Sequence, residues 1–347
     1  MKRRELIQAV FVLSALGLIV AITHFFAGAY PKRVLITIGI YVILAVSLGL
    51  GNGFTGVFSI GHVAFMGIGA YTAAVLTLPL QVKATSMPDL PGFLGLTQLP
   101  FLPATLLAGL LPAIVALLVG IPMLRLSGNY IAVATLGLLV ITREVLVNAE
   151  ALTRGARTFT GILPLTNLGW VFVWGAITTF VVWRLKRSTY GRRMFASRDD
   201  PIAAQALGIS ILRTRLLAFV VSAFFTGIAG ALFAHFVLAF SARTFYLATT
   251  FQVIGMIVIG GMGSVSGAFL GAVLLSGFSE MVRVLEPGFT LGPVHVPPFY
   301  GLAQISVAIL FILVMLLRPS GLLGDREIDP LFWLDRIRRQ GKEEAMQ

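Results

Sequence analysis

Residues 48–71 read LGLGNGFTGVFSIGHVAFMGIGAY, an apolar stretch with glycine throughout. In a soluble helix each of these glycines would cost about 1 kcal/mol relative to alanine. In a membrane, small residues let helices pack closely, and a broken helix persists only where protein or a watery cavity covers it. The stretch therefore predicts a polytopic membrane protein in which some helices are interrupted.

The composition supports a membrane protein. Of the 347 residues, 57% are hydrophobic and only 12% are charged, whereas an average soluble domain is about 25% charged. Such a chain has too few polar side chains to cover a surface in water. The formal net charge of the chain is +12, which is expected of a membrane protein whose cytoplasmic loops are basic under the positive-inside rule. The sequence contains no solvated basic domain, so we predict no nucleic-acid partner.

The residues that bind metals and form disulfides are scarce. The chain has no cysteine and only four histidines, and no two of the histidines lie within five residues of each other. This pattern predicts no metal site and no other cofactor. The histidines are His24, His62, His235 and His295.

Apolar runs long enough to cross about 30 Å of hydrocarbon recur along the whole chain. They predict an all-α transmembrane helical bundle of about 8–10 spans, including broken or re-entrant helices. The first run follows a basic N-terminus that resembles a signal peptide, but its length and the lack of a convincing cleavage site predict a retained helix. The runs are 6–30, 34–50, 54–80, 101–124, 130–147, 168–183, 216–240, 249–278 and 299–317.

Loop charges predict the orientation. Segment 184–215 holds eight Lys and Arg residues against two Asp, so it is expected in the cytoplasm. Counting spans back from it places the N-terminus there too, and leaves Lys32 and Arg33 in a short outer loop. A cytoplasmic C-terminus then requires run 249–278 to cross twice or to enter and leave on one side. We expect a single transmembrane permease domain, 1–324, and a polar cytoplasmic tail, 325–347.

Glycine-rich breaks interrupt two of the runs. One lies in residues 51–61 and the other in residues 260–267, and a small-residue helix follows each. Paired interrupted helices in two halves of a transporter point to the translocation path, although glycines also simply permit tight packing. The polar residues near the breaks could contact a solute or repair broken backbone hydrogen bonds. The candidate path residues are Asn52, Thr55, Ser59, His62, Tyr71, Gln252, Ser264 and Ser266.

The basic segment contains a predicted short helix. Asp199 or Asp200 can cap it, Pro201 suits its first turn, and Gly208 suits its end. A capped helix in a basic cytoplasmic loop could dock on a partner protein. It could also be an ordinary interfacial helix.

Several motifs of catalysis are absent. The sequence has no phosphate-cradling GxxxxGK[ST], no GxSxG and no HExxH, so no enzyme is predicted. The spans also lack the ordered carboxylates that proton-coupled transporters usually contain. This disfavours a self-sufficient secondary transporter or channel, which remains the alternative from another class. The energy for active transport is therefore expected from another chain.

Several blocks of the sequence resemble those of one protein family, and they occur in the same order as in that family. The loop residues Ala203, Ala204 and Gly208 are similar to the "EAA" coupling loop of ABC-importer permeases, with Ile202 at the glutamate position. Residues 48–71, 125–136 (RLSGNYIAVATL), 260–264 (GGMGS) and 318–324 (RPSGLLG) resemble blocks of the LivM-type permease subunits of branched-chain amino acid ABC importers.

The resemblance implies a multi-pass permease in a bacterial cell membrane that translocates branched-chain or similar apolar amino acids by alternating access. It implies a second, LivH-type permease subunit, two ATP-binding subunits and an extracytoplasmic solute-binding protein as partners, besides membrane lipid. ABC permeases for urea, short amides or aromatic acids remain alternatives. The residues expected to couple the permease to the ATPase are Asp199, Asp200, Ala203, Ala204 and Gly208.

Overall fold

The structure, a computed structural model, describes residues 28–291 and 294–327. Most of the predicted first run, 6–30, and the tail from residue 328 onward lie outside these ranges. The described chain is a helical bundle with one short antiparallel hairpin, in which β1 (Phe289–Leu291) pairs with β2 (Val294–Val296).

Fourteen α-helices are described, together with a 3₁₀ helix at Ala242–Phe245. The helices are α1 Ala29–Thr55, α2 His62–Thr77, α3 Leu80–Ser86, α4 Gly92–Gly95, α5 Phe101–Met123, α6 Tyr130–Asn148, α7 Glu150–Thr153, α8 Leu168–Lys186, α9 Thr189–Asp199, α10 Pro201–Ala206, α11 Ile211–Val237, α12 Leu247–Gly260, α13 Val265–Arg283 and α14 Leu302–Leu317.

Seven helices of the described chain are long and apolar enough to cross a membrane, and a bent helix pair makes eight. Helix α14 is shorter, at roughly 24 Å for its 16 residues. The prediction of an all-α transmembrane bundle with broken helices is therefore confirmed. The seven are α1, α5, α6, α8, α11, α12 with the preceding 3₁₀ helix, and α13.

Helix α2 is the centre of the bundle. It is apolar on every face and packs mainly against α5 and α11, as expected of a helix buried on all sides. The backbones of α2 and α11 nearly touch, because a Cβ on Gly69 would lie 2.2 Å from the carbonyl oxygen of Gly227. The small residues of the opening sequence stretch thus allow close helix packing.

The start of α1 differs from the sequence prediction. Lys32 and Arg33 were expected in an outer loop, but both lie within the first two turns of α1. Pro31 does not prevent this, because proline is tolerated in the first turn of a helix, where its missing N–H needs no partner.

The position of the first break also differs from the prediction. The glycine-rich residues 51–55 remain helical, and the non-helical segment is 56–61. Residues 51–55 are all buried, and packing of this kind overrides low helix propensity.

The predicted connection 81–100 is folded. Helices α2 and α3 meet at an angle of 111°, at Pro79, which cannot continue a helix. The buried Lys83 donates hydrogen bonds to the carbonyls of Leu94 (2.8 Å) and Thr97 (2.5 Å), which joins α3 to the segment that follows it. The Leu99 N–H donates to the Leu76 carbonyl near the end of α2 (2.8 Å).

The run 249–278 forms two span-length helices, α12 and α13, joined at Gly261–Ser264. They pack against each other and against α1. Two crossings in this region are one of the two arrangements that the sequence allowed.

Candidate functional site

The first break is stabilised mainly by side chains close to it in sequence. The Ser59 N–H donates to Asn52 Oδ1 (3.0 Å), and the Thr55 hydroxyl donates to the Gly51 carbonyl (2.7 Å). The Ser59 hydroxyl lies 2.7 Å from His62 Nδ1. From outside the break, Thr135 of α6 accepts from the Ile60 N–H (3.0 Å). These contacts supply the partners that a helix loses where it stops.

Asn52, Thr55, Ser59 and His62 are therefore brought together, and all four are buried. The side chains of Asn52 and Thr55 form hydrogen bonds with backbone groups, and the Ser59 hydroxyl contacts the His62 ring. His62 Nε2, however, is buried without a hydrogen-bond partner in the described part of the chain. The described chain therefore leaves the hydrogen-bonding capacity of this nitrogen unused.

The second break is closed by a segment from far along the chain. Ser264 caps α13 by accepting from the Gly267 N–H (3.0 Å). The Glu327 carboxylate then accepts from the Val265 N–H (2.8 Å), the Ser266 N–H (2.9 Å) and the Ser266 hydroxyl (2.6 Å). A carboxylate is favourable here because the first N–H groups of a helix lack partners and carry partial positive charge.

Lys186, the last residue of α8, completes this arrangement. Its Nζ lies 2.6 Å from Glu327 Oε1 and donates to the Gly263 carbonyl at 2.6 Å. Both side chains are less than one fifth exposed, at 13% and 18%. Burial raises the pKa of the Glu327 carboxyl, but the hydrogen bonds from Lys186 and Ser266 and the charge of Lys186 outweigh it, so the net pKa is lowered.

The segment before Glu327 also lies on the second break. Leu322 and Leu323 donate their N–H groups to the carbonyls of Ile259 (2.8 Å) and Gly260 (3.1 Å) at the end of α12. The chain just before residue 328 is thus attached to the bundle by backbone as well as by side chains.

The end of α1, just before the first break, touches the second break. A Cβ on Gly53 would lie 1.6 Å from the Met262 carbonyl oxygen, so only glycine fits at this position. Arg198 of α9 donates to the Gly53 carbonyl (2.9 Å) and lies 3.4 Å from Asp325. We call the region formed by 53–61, 186–210, 261–266 and 321–327 the polar end of the bundle.

The predicted loop helix is confirmed as α10. Asp200 caps it by accepting from the N–H groups of Ile202 (2.9 Å) and Ala203 (3.0 Å), and Gly208 follows it with φ of +77°. Asp199 has a different place, since it ends α9 and pairs with Arg198 at 3.0 Å. Ala204 is buried, whereas Ala203 is exposed.

Two of the candidate path residues lie away from the polar end. Tyr71 is roughly 13 Å along α2 from His62, at 1.5 Å per residue, and packs edge-on against Phe159 and Phe240. Its hydroxyl is buried without a hydrogen-bond partner in the described chain. Gln252 accepts a hydrogen bond from the Tyr41 hydroxyl at 3.3 Å.

Sequence reasoning missed four residues of the polar end: Lys186, Arg198, Asp325 and Glu327. Lys186 and Arg198 looked like two of many loop cations, and the two acids looked like part of a polar tail. Their pairings span 127 and 141 residues, so no local pattern reveals them.

The described residues contain no cluster of three or more His, Cys, Asp or Glu side chains that could hold a metal ion. The polar end is instead made of backbone carbonyls, helix N-termini, basic side chains and four acidic side chains. Together with the bundle it defines a polytopic membrane permease with paired broken helices.

Comparison with known proteins identifies the family. Residues 30–317 match the family described as "Branched-chain amino acid transport system / permease component". The chain therefore belongs to this family, and it is a multi-pass protein of the cell membrane. No solved structure matches the chain.

Three relatives illustrate the range of the similarity. The chain is 32% identical over 318 residues to the high-affinity branched-chain amino acid transport system permease protein LivM of Salmonella typhimurium, covering 82% of this chain and 68% of the relative. It is 24% identical over 304 residues to LivH of the same organism, covering 83% and 92%. It is 32% identical over 162 residues to the autoinducer 2 import system permease protein LsrC of Klebsiella pneumoniae, covering 42% and 45%.

Proposed function

We propose that the chain is one of two permease subunits of an ATP-driven importer, and that it moves branched-chain or similar small apolar amino acids across the membrane by alternating access. The family match and the LivM relative, whose name states this substrate class, support the proposal. The similarity to LivH supports a homologous second permease. Two ATP-binding subunits and an extracytoplasmic solute-binding protein would complete the importer.

The orientation follows from the basic loop. If segment 184–215 is cytoplasmic, as the positive-inside rule predicts, the whole polar end faces the cytoplasm. The double crossing by α12 and α13 then returns the chain to the side required for a cytoplasmic C-terminus. The ion pair between Lys186 and Glu327 is consistent with this, because it joins the basic loop to the beginning of the tail, 325–347.

The single observation that carries the coupling role is the surface of α10. Ile202 is 82% exposed and the nearby Leu207 is 79% exposed, at an end of the molecule that is otherwise rich in charge. Apolar side chains presented on a capped helix among charges indicate a protein contact. We assign this contact to an ATP-binding subunit, with Asp199, Asp200, Ala203, Ala204 and Gly208 shaping the helix that docks.

The path for the solute is proposed to run past the two breaks. Buried polar atoms normally have hydrogen-bond partners, so the unpartnered His62 Nε2 and Tyr71 hydroxyl are the groups best placed to meet a solute or water. Asn52, Thr55, Ser59, Gln252, Ser264 and Ser266 are engaged within the chain. They would shape the path rather than bind tightly.

The substrate is tested with the assembled importer in liposomes. We expect Leu, Ile or Val, presented with the solute-binding protein, to stimulate ATP hydrolysis and to accumulate in the vesicles. Because the LsrC relative matches part of the chain, autoinducer 2 belongs in the same panel. Stimulation by autoinducer 2 and not by the amino acids would overturn the substrate assignment, but it would still support the proposal that the chain is part of an importer.

Docking is tested on the surface of α10. Ile202→Asp should reduce solute uptake per ATP hydrolysed by about tenfold, because a charge replaces an apolar contact at a protein interface. Ile202→Leu is the matched control and should behave like the wild type. Gly208→Val, which forces a β-branched residue into positive φ, should uncouple uptake in the same way, and unchanged uptake in both damaging variants would contradict docking at α10.

A further inference from the structure

Two cations, Lys186 at the end of α8 and Arg198 on α9, contact the chain at the two breaks. Lys186 donates to the carbonyl of Gly263 in the second break (2.6 Å). Arg198 donates to the carbonyl of Gly53 just before the first break (2.9 Å). The same short stretch of chain, 186–198, therefore contacts the backbone of the second break and the end of α1, which leads into the first break.

Aromatic rings also contact Lys186 and Arg198. Phe54 of α1 and Phe195 of α9 pack with ring centroids 5.2 Å apart. Lys186 Nζ lies 5.3 Å from the Phe54 ring centroid, and the Arg198 guanidinium carbon lies 4.9 Å from that of Phe195. Cations at these distances are attracted to the ring faces, so each cation is held by a ring as well as by a carbonyl.

Glu327 provides the counter-charge that lets Lys186 remain here. The Lys186 side chain is only 13% exposed, and a charge buried to this extent is costly without a partner. Glu327 supplies that partner while also binding the N-terminus of α13. The Arg198–Asp325 contact is weaker, since it is 3.4 Å long and Asp325 is 68% exposed. The central ion pair is therefore Lys186–Glu327.

We propose that Lys186, Arg198 and Glu327 form a coupling clamp that transmits movement of the docking helix α10 to both helix breaks, with all three acting as positioning residues. The inference rests on the proposed function, because it assumes that a partner moves α10. Asp200 is the only residue between α9 and α10, so displacement of α10 moves α9. Arg198, which lies on α9, then pulls on the Gly53 carbonyl. Lys186 Nζ lies 5.6 Å from the centroid of the Phe195 ring of α9, so the same movement reaches the Gly263 carbonyl through Lys186.

The first test uses the assembled importer in liposomes and measures solute transported per ATP hydrolysed. Glu327→Gln keeps the shape of the side chain and removes its charge, and we expect the ratio to fall about tenfold, which is about 1.4 kcal/mol. Glu280→Gln is the matched control, because Glu280 pairs with Arg283 at the opposite end of the same helix, and it should leave the ratio unchanged. Lys186→Gln should uncouple as Glu327→Gln does, and Lys186→Arg should restore coupling.

The second test does not depend on transport. The chain has no cysteine, so spin labels can be placed by Arg192→Cys and Arg326→Cys, two exposed positions on α9 and beside Glu327. We expect a narrow distance distribution in the otherwise unchanged chain and a broad one when Glu327→Gln is added. A Glu280→Gln background should keep the distribution narrow.

The outcomes separate the clamp from the function on which it rests. If the unaltered importer shows no solute-stimulated hydrolysis, the proposed function fails, and the spin labels still decide whether Glu327 holds α9. If the unaltered importer works, normal coupling in Glu327→Gln with an unchanged distance distribution overturns the clamp. A broadened distribution with normal coupling also overturns it, because the contact would then be merely structural.

Discussion

In the first break, Asn52 contacts Ser59 and Ser59 contacts His62, over separations of seven and three residues. In the second break, the main partners come from Lys186 and Glu327, which are 77 and about 62 residues from the groups they bind. Bringing together residues that are far apart in sequence costs chain entropy, and this cost is offset only once the folded structure has formed. The first break is therefore held mainly by residues next to it in sequence, whereas the second depends on Lys186 and Glu327, which are far from it in sequence.

The largest effect is expected where the end of α1 touches the second break. Gly53→Ala places a Cβ 1.6 Å from the Met262 carbonyl oxygen, and backbone atoms cannot easily move away. We expect destabilisation above about 3 kcal/mol, the upper range for overpacking, measured as loss of thermal stability in detergent micelles. Gly137→Ala is the control, because a Cβ there meets nothing within 4 Å; equal stability of the two variants would show that the breaks can separate freely.

Truncation separates the two breaks. A chain ending at Gly324 lacks Glu327, and we expect it to lose about 2–3 kcal/mol, because Lys186 loses its partner and α13 loses its anion. Hydrogen exchange should accelerate at residues 261–267 and stay slow at 56–62. A chain ending at Glu327 keeps these contacts and is the matched control; faster exchange at both breaks would contradict the self-contained nature of the first.

Asn52→Ala tests the first break by itself. The Ser59 N–H would remain buried without its acceptor, so we expect a loss of about 1–2 kcal/mol, with faster exchange at 56–62 and no change at 261–267. The control is Asn148→Ala, an exposed position at the end of α6, where the change should stay within about 0.5 kcal/mol. Equal losses at the two positions would mean that Asn52 does not hold the break.

The smallest effect is a dependence on pH. The folded-state pKa of Glu327 is below its ordinary value, so its contribution to stability is present above the unfolded value of about 4.3 and is lost as pH falls through the folded pKa. The melting temperature of the wild type should exceed that of Glu327→Gln at pH 7, and the gap should shrink as the pH is lowered past about 4. A gap that stays constant down to about pH 3 would show that the negative charge is not what matters.

Much of the polar end was predicted from residues that lie close together in the sequence. Asp200, Pro201 and Gly208 defined α10 because capping and helix termination depend on neighbouring residues. The two breaks were found from glycine runs, although the helix continued through Asn52 to Thr55, since the packing around these residues outweighs their propensity. Whether the candidate path residues meet a solute stays a prediction.

By itself, the sequence determined the membrane environment, the helical class, the two breaks and the capped loop helix. Each of these depends on composition or on residues a few positions apart. Only the tertiary structure decided that Gly53 touches Met262, that Lys186 and Arg198 hold both breaks, and that Glu327 returns to the start of α13. These contacts join residues as far apart in sequence as Gly53 and Met262, and the physical reason is that such pairings depend on how the helices pack in space, which no local pattern in the chain encodes.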